Sequence, residues 1–398
     1  MTPRGRLVVA LGLVVYVAGW AFGSKPLYPV AAGLLLVSVV SWAWVRLANR
    51  RFVMRRGAGD SEHVEGDDVH VVVELEPTAP LLPPAATLVE SVGRLGEQRH
   101  RVVAHGRRLS VRYRLPNVRR GRYVFDSTRV EIGDPFGLQR VAVPVAAPGT
   151  LLVYPRLVQL GALFSDAGHL AHAGRKLLLR RPTGFDLHSV RDYEHGDSLR
   201  RVHWRSTARR GQLMVKELED APRDEIAVVL DAYAGAVVGE SFDVQVRAAG
   251  SILDAYVRRA RRAALVVNSA GRETRSVHSP LADWQRALEL LAAVEPDATA
   301  SLTSVLADAS RSAARALELV VVTARIEPRV LDRLIERSAG RGKASLVYVD
   351  PTSFNGAPPN PVPPLLRLQA TGVAVAVVRC GDDLAKCLGG AEQLRAHA

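Results

Sequence analysis

Residues 226–231 read Ile-Ala-Val-Val-Leu-Asp, an apolar run of strand length that ends in a carboxylate. A run without alternation of polar and apolar residues is typical of a strand buried on both faces of a sheet. Downstream, similar runs alternate with amphipathic segments of helical period. The predicted strands are 263–268, 319–323, 344–350 and 373–378, and the predicted helices are 242–262, 280–294, 302–316, 328–338 and 382–395. This order predicts a mainly parallel α/β domain over residues 225–398, with helices on both faces of the sheet.

Ligands of such sheets bind beyond the carboxyl ends of the strands, so Asp231 is the first position to test for chemistry. The sequence has no Gly-x-Gly-x-x-Gly after the first strand, no Gly-x-Ser-x-Gly and no His-Glu-x-x-His. Residues 340–344, Gly-Arg-Gly-Lys-Ala, lack the first glycine and the final Ser or Thr of a phosphate-binding loop. We therefore expect no enzymatic activity, no cofactor and no small-molecule substrate.

Residues 184–209, just upstream, concentrate charged, aromatic and glycine residues: GFDLHSVRDYEHGDSLRRVHWRSTAR. Asp197 or Ser198 can cap the start of a helix here, and Gly211 can end it. Arginine favours paired carboxylates and aromatic faces. We interpret the stretch, with Trp204 between Arg201 and Arg205, as an internal ion-pair and stacking network that holds the segment on the α/β domain. A ligand-binding role is the alternative.

Residues 67–155 alternate polar and apolar residues in short runs separated by turns that contain Gly, Pro or Asn. The predicted strands are 69–75, 101–104, 109–114, 123–125, 138–143 and 151–154. Six short strands with no helix between them predict a β-sandwich-like spacer domain over residues 57–160. Residues 161–224 then hold a linker and the charged stretch. His169 and His172 in the linker have helical spacing but no acidic or cysteine partner nearby, so we expect no metal there.

Two uncharged apolar runs, residues 7–22 and 30–45, stand near the start of the chain, and each is close to the lower length limit for a bilayer-spanning helix. Basic residues flank the outer ends of this pair: Arg4, Arg6, Arg46, Arg50, Arg51, Arg55 and Arg56. By the positive-inside rule, residues 1–56 form two transmembrane helices with both termini and the soluble domains in the cytoplasm. A signal peptide cleaved near residue 23 and a buried helical hairpin are the alternatives.

The net charge of +13 comes from arginines that are spread along the whole chain. A nucleic-acid interface needs such residues gathered on one face, so the composition argues against a nucleic-acid partner. Cys380 and Cys387 are the only cysteines. They form neither a disulfide framework nor a metal-ligand pattern, which favours a reducing compartment.

The charged stretch closely resembles the signature of the family named domain of unknown function 58 (DUF58). That signature runs approximately R-x-Y-x-x-G-D-x-x-R-x-I-x-W-x-x-x-A-R, and Val202 replaces its isoleucine. The candidate interaction residues are the matching residues Arg191, Tyr193, Gly196, Asp197, Trp204, Ala208 and Arg209, together with Arg201 and Arg205. Residues 134–138, Asp-Pro-Phe-Gly-Leu, and 153–155, Val-Tyr-Pro, also resemble landmarks of the family.

The resemblance implies a bacterial cell-membrane protein with a von Willebrand factor A-like domain, and many family members are encoded beside MoxR-type AAA+ ATPases. Such domains usually hold a divalent metal at Asp-x-Ser-x-Ser after the first strand, helped by a later Thr and Asp. Here residues 231–235 read Asp-Ala-Tyr-Ala-Gly, and Thr323-Ala324-Arg325 lacks the expected acid. One carboxylate supplies too few oxygen ligands for Mg²⁺ or Ca²⁺. We therefore interpret Asp231 as a degenerate metal-site position and expect no metal.

The leading hypothesis is a membrane-anchored, non-enzymatic scaffold or adaptor that partners an AAA+ ATPase of the MoxR type in a chaperone-like or assembly role. The alternative is a basic module that binds anionic lipid or nucleic acid at the membrane surface. A third hypothesis is a hydrolase, whose capable side chains sit at no recognisable spacing: His188, Asp192, His195 and His203.

Overall fold

The computed structural model describes residues 1–49, 52–57, 62–77, 85–105, 108–161, 163–164, 187–193, 202–218, 226–279, 281–308, 316–340, 342–357 and 363–389. The chain divides into two compact units, Met1–Tyr154 and Pro155–Ala398.

The first unit begins with two helices, α1 (Pro3–Ala21) and α2 (Leu27–Ala48). Both are long and apolar enough to cross a membrane, so the prediction of two N-terminal apolar helices is confirmed. Buried glycines let the helices approach closely: a Cβ on Gly12 would lie 3.2 Å from the Leu35 side chain, and one on Gly19 would lie 3.2 Å from Leu27 Cβ. Small residues allow tight helix packing of this kind in an apolar environment.

Ten strands follow in the described part of the first unit. They are β1 (Phe52–Gly57), β2 (His63–Val64), β3 (Val69–Pro77), β4 (Ala85–Val92), β5 (Glu97–Arg101), β6 (Val103–His105), β7 (Arg108–Leu115), β8 (Gly121–Gly133), β9 (Arg140–Pro144) and β10 (Thr150–Tyr154). One sheet has the order β1-β3-β7-β6, and the other has the order β2-β10-β8-β4-β5 with β9 paired to β8. Both sheets contribute to a single buried apolar cluster, which includes Val73 of β3, Leu88 of β4 and Ile132 of β8.

The sequence prediction misses β1, β2, β4 and most of β5, and it shortens β8. From the sequence, residues up to 56 are assigned to the basic segment that follows the second helix, because Arg55 and Arg56 obscure the alternating pattern of the strand β1. The structure corrects this reading for Arg56, whose side chain is only 8% exposed and pairs with Glu90. Arg56 is therefore part of the β region and is not a free juxtamembrane charge.

The second unit contains a small antiparallel pair, β11 (Leu187–Asp192) and β12 (Met214–Leu218), with the short helix α3 (Trp204–Arg210) between them in sequence. Gly211, at φ 70°, ends α3 as predicted. The start of the helix differs from the prediction, since His203 caps it and the helix begins at Trp204. The predicted caps Asp197 and Ser198 lie outside the described residues.

The remaining strands form one six-stranded sheet with the order β15-β14-β13-β16-β17-β18. They are β13 (Ile226–Asp231), β14 (Ala263–Asn268), β15 (Glu273–Val277), β16 (Glu318–Thr323), β17 (Lys343–Val349) and β18 (Ala374–Val378). All neighbouring strands are parallel except β14 and β15. The sequence prediction misses β15 because this edge strand is largely exposed and polar.

Within the described residues, the α-helices that accompany this sheet are α4 (Ser241–Val257), α5 (Ala282–Ala293), α6 (Leu302–Asp308), α7 (Pro328–Ala339), α8 (Pro363–Ala370) and α9 (Leu384–Leu388). Alternate residues of the central strands enter two separate buried clusters, as Val228 and Val229 of β13 do. The sheet is therefore covered on both faces. The predicted helix 242–262 is too long, because the chain leaves the helix after Val257 and Ala260 adopts φ 53°.

Candidate functional site

The carboxyl ends of β13 and β16 form the topological switch point of the six-stranded sheet. From β13 the chain moves to β14 on one side and later returns to β16 on the other side. In open α/β sheets, ligands bind in the crevice that opens at such a point. Asp231 ends β13 and Thr323 ends β16, so the predicted site residue Asp231 occupies this position.

The Asp231 carboxylate is 1% exposed and accepts hydrogen bonds from three side chains. Asn268 Nδ2, at the end of β14, donates to Oδ1 at 2.7 Å. Thr323 Oγ1 donates to Oδ2 at 2.8 Å, and Arg325 Nε donates to the same oxygen at 3.0 Å. Both carboxylate oxygens therefore have donors from within the unit. This satisfies the requirement that a buried charge be paired and hydrogen-bonded.

Arg325 connects Asp231 to a second carboxylate. Its Nη2 lies 2.8 Å from Glu327 Oε1 and donates to the Ala300 carbonyl oxygen at 3.2 Å. Its guanidinium carbon lies 3.7 Å from the centre of the Tyr233 ring, which adds a cation–π contact. The guanidinium is thus held by two carboxylates, a carbonyl and an aromatic face, and its side chain is 19% exposed.

Glu327 fixes the neighbouring segment. Thr303 Oγ1 donates to Glu327 Oε2 at 3.1 Å, and the Leu302 backbone N–H donates to Oε1 at 3.3 Å at the start of α6. Two carboxylates, two hydroxyls, one side-chain amide and one guanidinium therefore meet at the switch point. An arrangement of this kind holds its own cation, the guanidinium of Arg325, between the two acids.

Sequence reasoning finds Asp231 and Thr323 but misses the role of Asn268, Arg325 and Glu327. It also counts only one carboxylate at this point, which the structure corrects, because Glu327 lies beside Arg325. Asn268 ends a strand that the sequence predicts, so a search of every strand end would have found it. Among the described residues, no group of three or more His, Cys, Asp or Glu side chains is placed to hold a metal. The absence of a metal remains a prediction.

The end of β17 carries another acidic side chain with a structural role. The Asp350 carboxylate accepts hydrogen bonds from the Thr352 N–H at 3.1 Å and from Thr352 Oγ1 at 2.7 Å, and so caps the following turn. Burial raises the pKa of the neighbouring Tyr348 hydroxyl, and the charge of Asp350 adds to this shift. Tyr348 is therefore a protonated, buried hydroxyl at neutral pH, unsuited to act as a base.

The signature residues lie around β11, α3 and β12. Buried apolar residues hold this part together, since Val202 pairs with Val215 in an isolated bridge and both are buried. Tyr193 N–H donates to the Leu213 carbonyl oxygen at 2.9 Å, and His203 N–H donates to that of Met214 at 2.7 Å. These bonds join the residue after β11 and the residue before α3 to residues at or just before the start of β12.

One part of the signature faces solvent. Trp204 is 67% exposed, Arg205, Ala208 and Arg209 are also exposed, and no residue of α3 is buried. We call these four residues the signature surface. Their exposure corrects the interpretation of Trp204 as the centre of an internal stacking network. Gly196, Asp197, Arg201 and the side chain of Arg191 lie outside the described part of the chain.

The candidate hydrolase residues form no site in the part that the structure describes. His203 caps α3, with Nδ1 accepting from the Ser206 N–H at 3.3 Å and lying 2.7 Å from Ser206 Oγ. Asp192 is exposed, whereas His195 and the side chain of His188 are not described.

Burial raises the pKa of the Cys387 thiol, so this cysteine is less reactive than a free thiol.

Comparison with known proteins confirms the family resemblance. Residues 189–352 match the model of the family described as Protein of unknown function DUF58. The Uncharacterized protein YeaD of Bacillus subtilis (strain 168) is 28% identical over 187 residues, which are 46% of this chain and 46% of the relative. The match therefore spans about half the length of that relative.

Two solved structures show partial likeness. The von Willebrand factor type A structure from Catenulispora acidiphila matches with a TM-score of 0.30 and 14% identity, over 42% of this chain and 41% of the other. Cwp6 from Clostridium difficile matches with a TM-score of 0.17 and 7% identity, over 84% of this chain and 46% of the other.

Proposed function

We propose that this DUF58 chain is a membrane-anchored, non-enzymatic scaffold or adaptor. In this proposal α1 and α2 cross the membrane with both termini and the soluble parts in the cytoplasm. The β region is a sandwich-like spacer, and the α/β region is a von Willebrand factor A-like interaction module. The arginines that flank the two helices support this orientation.

The observation that carries the proposal is the exposure of the signature surface. Large aromatic side chains with neighbouring arginines are the residues that most often dominate the energetics of protein interfaces. Trp204 is two-thirds exposed close in sequence to the exposed Arg205 and Arg209, while the nearby Val202 and Val215 are buried and paired with each other. Such a surface suits a partner with an acidic, partly apolar face.

The pairing of the charged side chains at the switch point supports a non-enzymatic role. Asp231 has three donors from its own unit, and the Arg325 guanidinium lies between Asp231 and Glu327. The carboxylate at the position where this fold class carries out chemistry is thus already paired with the chain's own side chains. We propose that binding at exposed surfaces, and not catalysis at this point, is the activity of the second unit.

We further propose an AAA+ ATPase of the MoxR type as the partner, on the strength of the family resemblance alone. The test is a pull-down of the full chain in detergent with such an ATPase from the same organism, followed by titration of the purified pair. We expect Trp204→Ala to weaken binding by about tenfold or more, the size of an interface hot spot. Arg205→Glu should weaken it as well, through charge reversal.

The matched control is Leu366→Ala, because Leu366 is 68% exposed on α8 and so has the exposure of Trp204. This variant should bind like the unaltered chain. Equal binding by the Trp204 and Leu366 variants would exclude the signature surface as the interface. Failure of the unaltered chain to recover the ATPase would exclude the partner.

The alternative function is binding of anionic lipid or nucleic acid by the same surface, which the exposed arginines Arg205, Arg209 and Arg210 favour. Such binding must weaken steeply as salt rises, because it releases counterions. Anionic vesicles or oligonucleotides that bind with flat salt dependence, or not at all, would exclude this alternative. Steep salt dependence with no ATPase binding would favour it.

A further inference from the structure

The loop Asp134–Leu138, which joins β8 to β9, is bound to the first turn of α1 within the first unit. The Thr2 backbone N–H donates to the Leu138 carbonyl oxygen at 3.0 Å, and Thr2 Oγ1 donates to the Gly137 carbonyl oxygen at 2.8 Å. The same hydroxyl oxygen accepts a hydrogen bond from the Gly5 N–H at 3.1 Å and so caps α1. One residue therefore fixes both the start of the helix and the position of the loop.

Gly5 brings the loop and the helix into direct contact. It is buried, and a Cβ at this position would overlap the carbonyl oxygen of Leu138. The loop thus lies at the level of the first turn of α1. At the same open end of the helical hairpin, Ala48, the last residue of α2, belongs to the buried cluster of the β region. Both helices therefore connect to the β region at the open end of the hairpin.

The loop has a fixed shape. Asp134 is 3% exposed, and its carboxylate accepts hydrogen bonds from the Phe136 N–H at 3.0 Å and from the Gln139 N–H at 2.5 Å. Gly137 adopts φ 72°, a conformation that favours glycine. These bonds hold Pro135, Phe136 and Gly137 outside, and all three are exposed. We call these three residues the loop tip.

The loop tip is apolar and uncharged, and Phe136 is 61% exposed on it. Two exposed arginines, Arg4 and Arg6, lie in the first turns of α1 beside it. An aromatic side chain next to basic residues is the composition of a membrane-interface contact, because the ring enters the headgroup region while the cations attract anionic lipid.

We propose that the loop tip lies in the headgroup region of the bilayer that α1 and α2 cross, as a third membrane contact that sets the orientation of the β region. This inference rests on the membrane anchoring proposed above. The 19 residues of α1 measure about 28 Å, close to the hydrocarbon thickness of a bilayer, so the first turn of α1 stands at the membrane surface. The hydrogen bonds of Thr2 place the loop tip at that same level.

The test places a fluorescent probe at the loop tip of the full chain. Cys380 and Cys387 are replaced by serine, and Phe136→Cys is labelled with a polarity-sensitive dye and reconstituted into vesicles of phosphatidylcholine and phosphatidylglycerol. A second probe at Pro135→Cys checks the same tip. The matched control is Val124→Cys, an apolar residue of β8 that is 40% exposed and lies about 30 Å of strand away from Gly133.

We expect the probes at 135 and 136 to shift to shorter emission wavelength, to be quenched by nitroxide-labelled lipid and to be protected from aqueous iodide. The probe at 124 should show the opposite pattern. Probes at the tip that iodide quenches, in protein that remains in the membrane after an alkaline carbonate wash, would overturn this inference and leave the anchoring intact. Protection from both quenchers would assign the tip to a protein contact and also overturn it. Release of the chain by carbonate would instead refute the anchoring itself.

Discussion

Two arginine–carboxylate pairs, one in each unit, have nearly the same chemistry in different settings. Arg56 lies 2.5 Å from Glu90 in the first unit, and Arg325 lies 3.0 Å from Asp231 in the second. Each guanidinium also lies over an aromatic ring, at 3.9 Å in the first unit and 3.7 Å in the second. In both pairs the carboxylate is almost completely buried.

The settings differ in what each pair joins. Glu90 of β4 accepts hydrogen bonds from Arg56 of β1, from Tyr113 Oη of β7 at 2.6 Å and from Thr128 Oγ1 of β8 at 3.3 Å. These strands come from both sheets of the first unit, so the pair ties one sheet to the other. The Arg325 pair instead lies at the carboxyl ends of two central strands, β13 and β16, of one sheet. The same kind of pair joins two sheets across the core of one unit and occupies the usual ligand position of the sheet in the other. The position of the pair in the fold therefore determines its role.

Glu90→Ala should have the largest effect, because it leaves a buried guanidinium without its carboxylate. Removing one partner of a buried ion pair costs about 3–5 kcal/mol, and here Tyr113 and Thr128 lose an acceptor as well. We expect faster hydrogen exchange in peptides from β4 and β8 of the full chain in detergent. Glu97→Ala is the control, because Glu97 pairs with Arg99 and Arg129 at exposed positions, where ion pairs contribute little. Equal effects of the two variants would show that the cross-sheet pair does not stabilise the unit.

Arg325→Ala should have a smaller effect, about 1–3 kcal/mol, because Asp231 retains its bonds from Asn268 and Thr323 and the guanidinium is partly exposed. The change is read from hydrogen exchange in peptides of β13 and β16. If the guanidinium is the resident cation of the site, millimolar Mg²⁺ or Ca²⁺ should raise the melting temperature of this variant more than that of the unaltered chain.

Arg325→Lys retains a cation between the two acids and is the matched variant. It should lose less stability and should not respond to divalent ions. A divalent-ion response that is the same in all three proteins would contradict the role given to Arg325.

Much of the second unit can be predicted from the sequence because its strands are continuous apolar runs. The run 226–231 also locates Asp231, since a polar residue that ends a buried strand must lie at the edge of the sheet. The partners of Asp231 are harder to predict. They depend on β13 lying between β14 and β16, and the order of strands in a sheet is not encoded by any local pattern.

Charged residues explain why Arg56 and Trp204 are misassigned from the sequence. Arg56 reads as a juxtamembrane arginine until the strand pairing of β1 shows that it enters the core. The arginines on either side of Trp204 predict an internal stacking network, but in the structure Trp204 begins α3 and is exposed. The capping by His203 fixes that start six residues after the predicted cap Asp197. Such features follow from tertiary contacts and not from composition.

The smallest effect that we predict is the pH dependence caused by His100, which belongs to the same cross-sheet region as Glu90. Its ring stacks on Tyr113, with 4.1 Å between ring centres. Burial lowers the pKa of His100 below its usual value of 6.5, and the charge of Glu90 opposes this shift only in part. In the unfolded chain His100 takes up a proton at its ordinary pKa, whereas in the folded chain it does so only at lower pH.

The first unit should therefore lose stability as the pH falls below about 6.5, since the unfolded state then binds more protons than the folded state. Exchange of the β4 and β8 peptides, compared at about pH 8 and about pH 5 after correction for the intrinsic rate, measures this loss. His100→Gln should reduce the loss, whereas His70→Gln, at an exposed position of β3, should leave it unchanged. If both variants keep the full pH dependence of the unaltered chain, the stacked His100 is not its source, and carboxylates of the first unit must account for it.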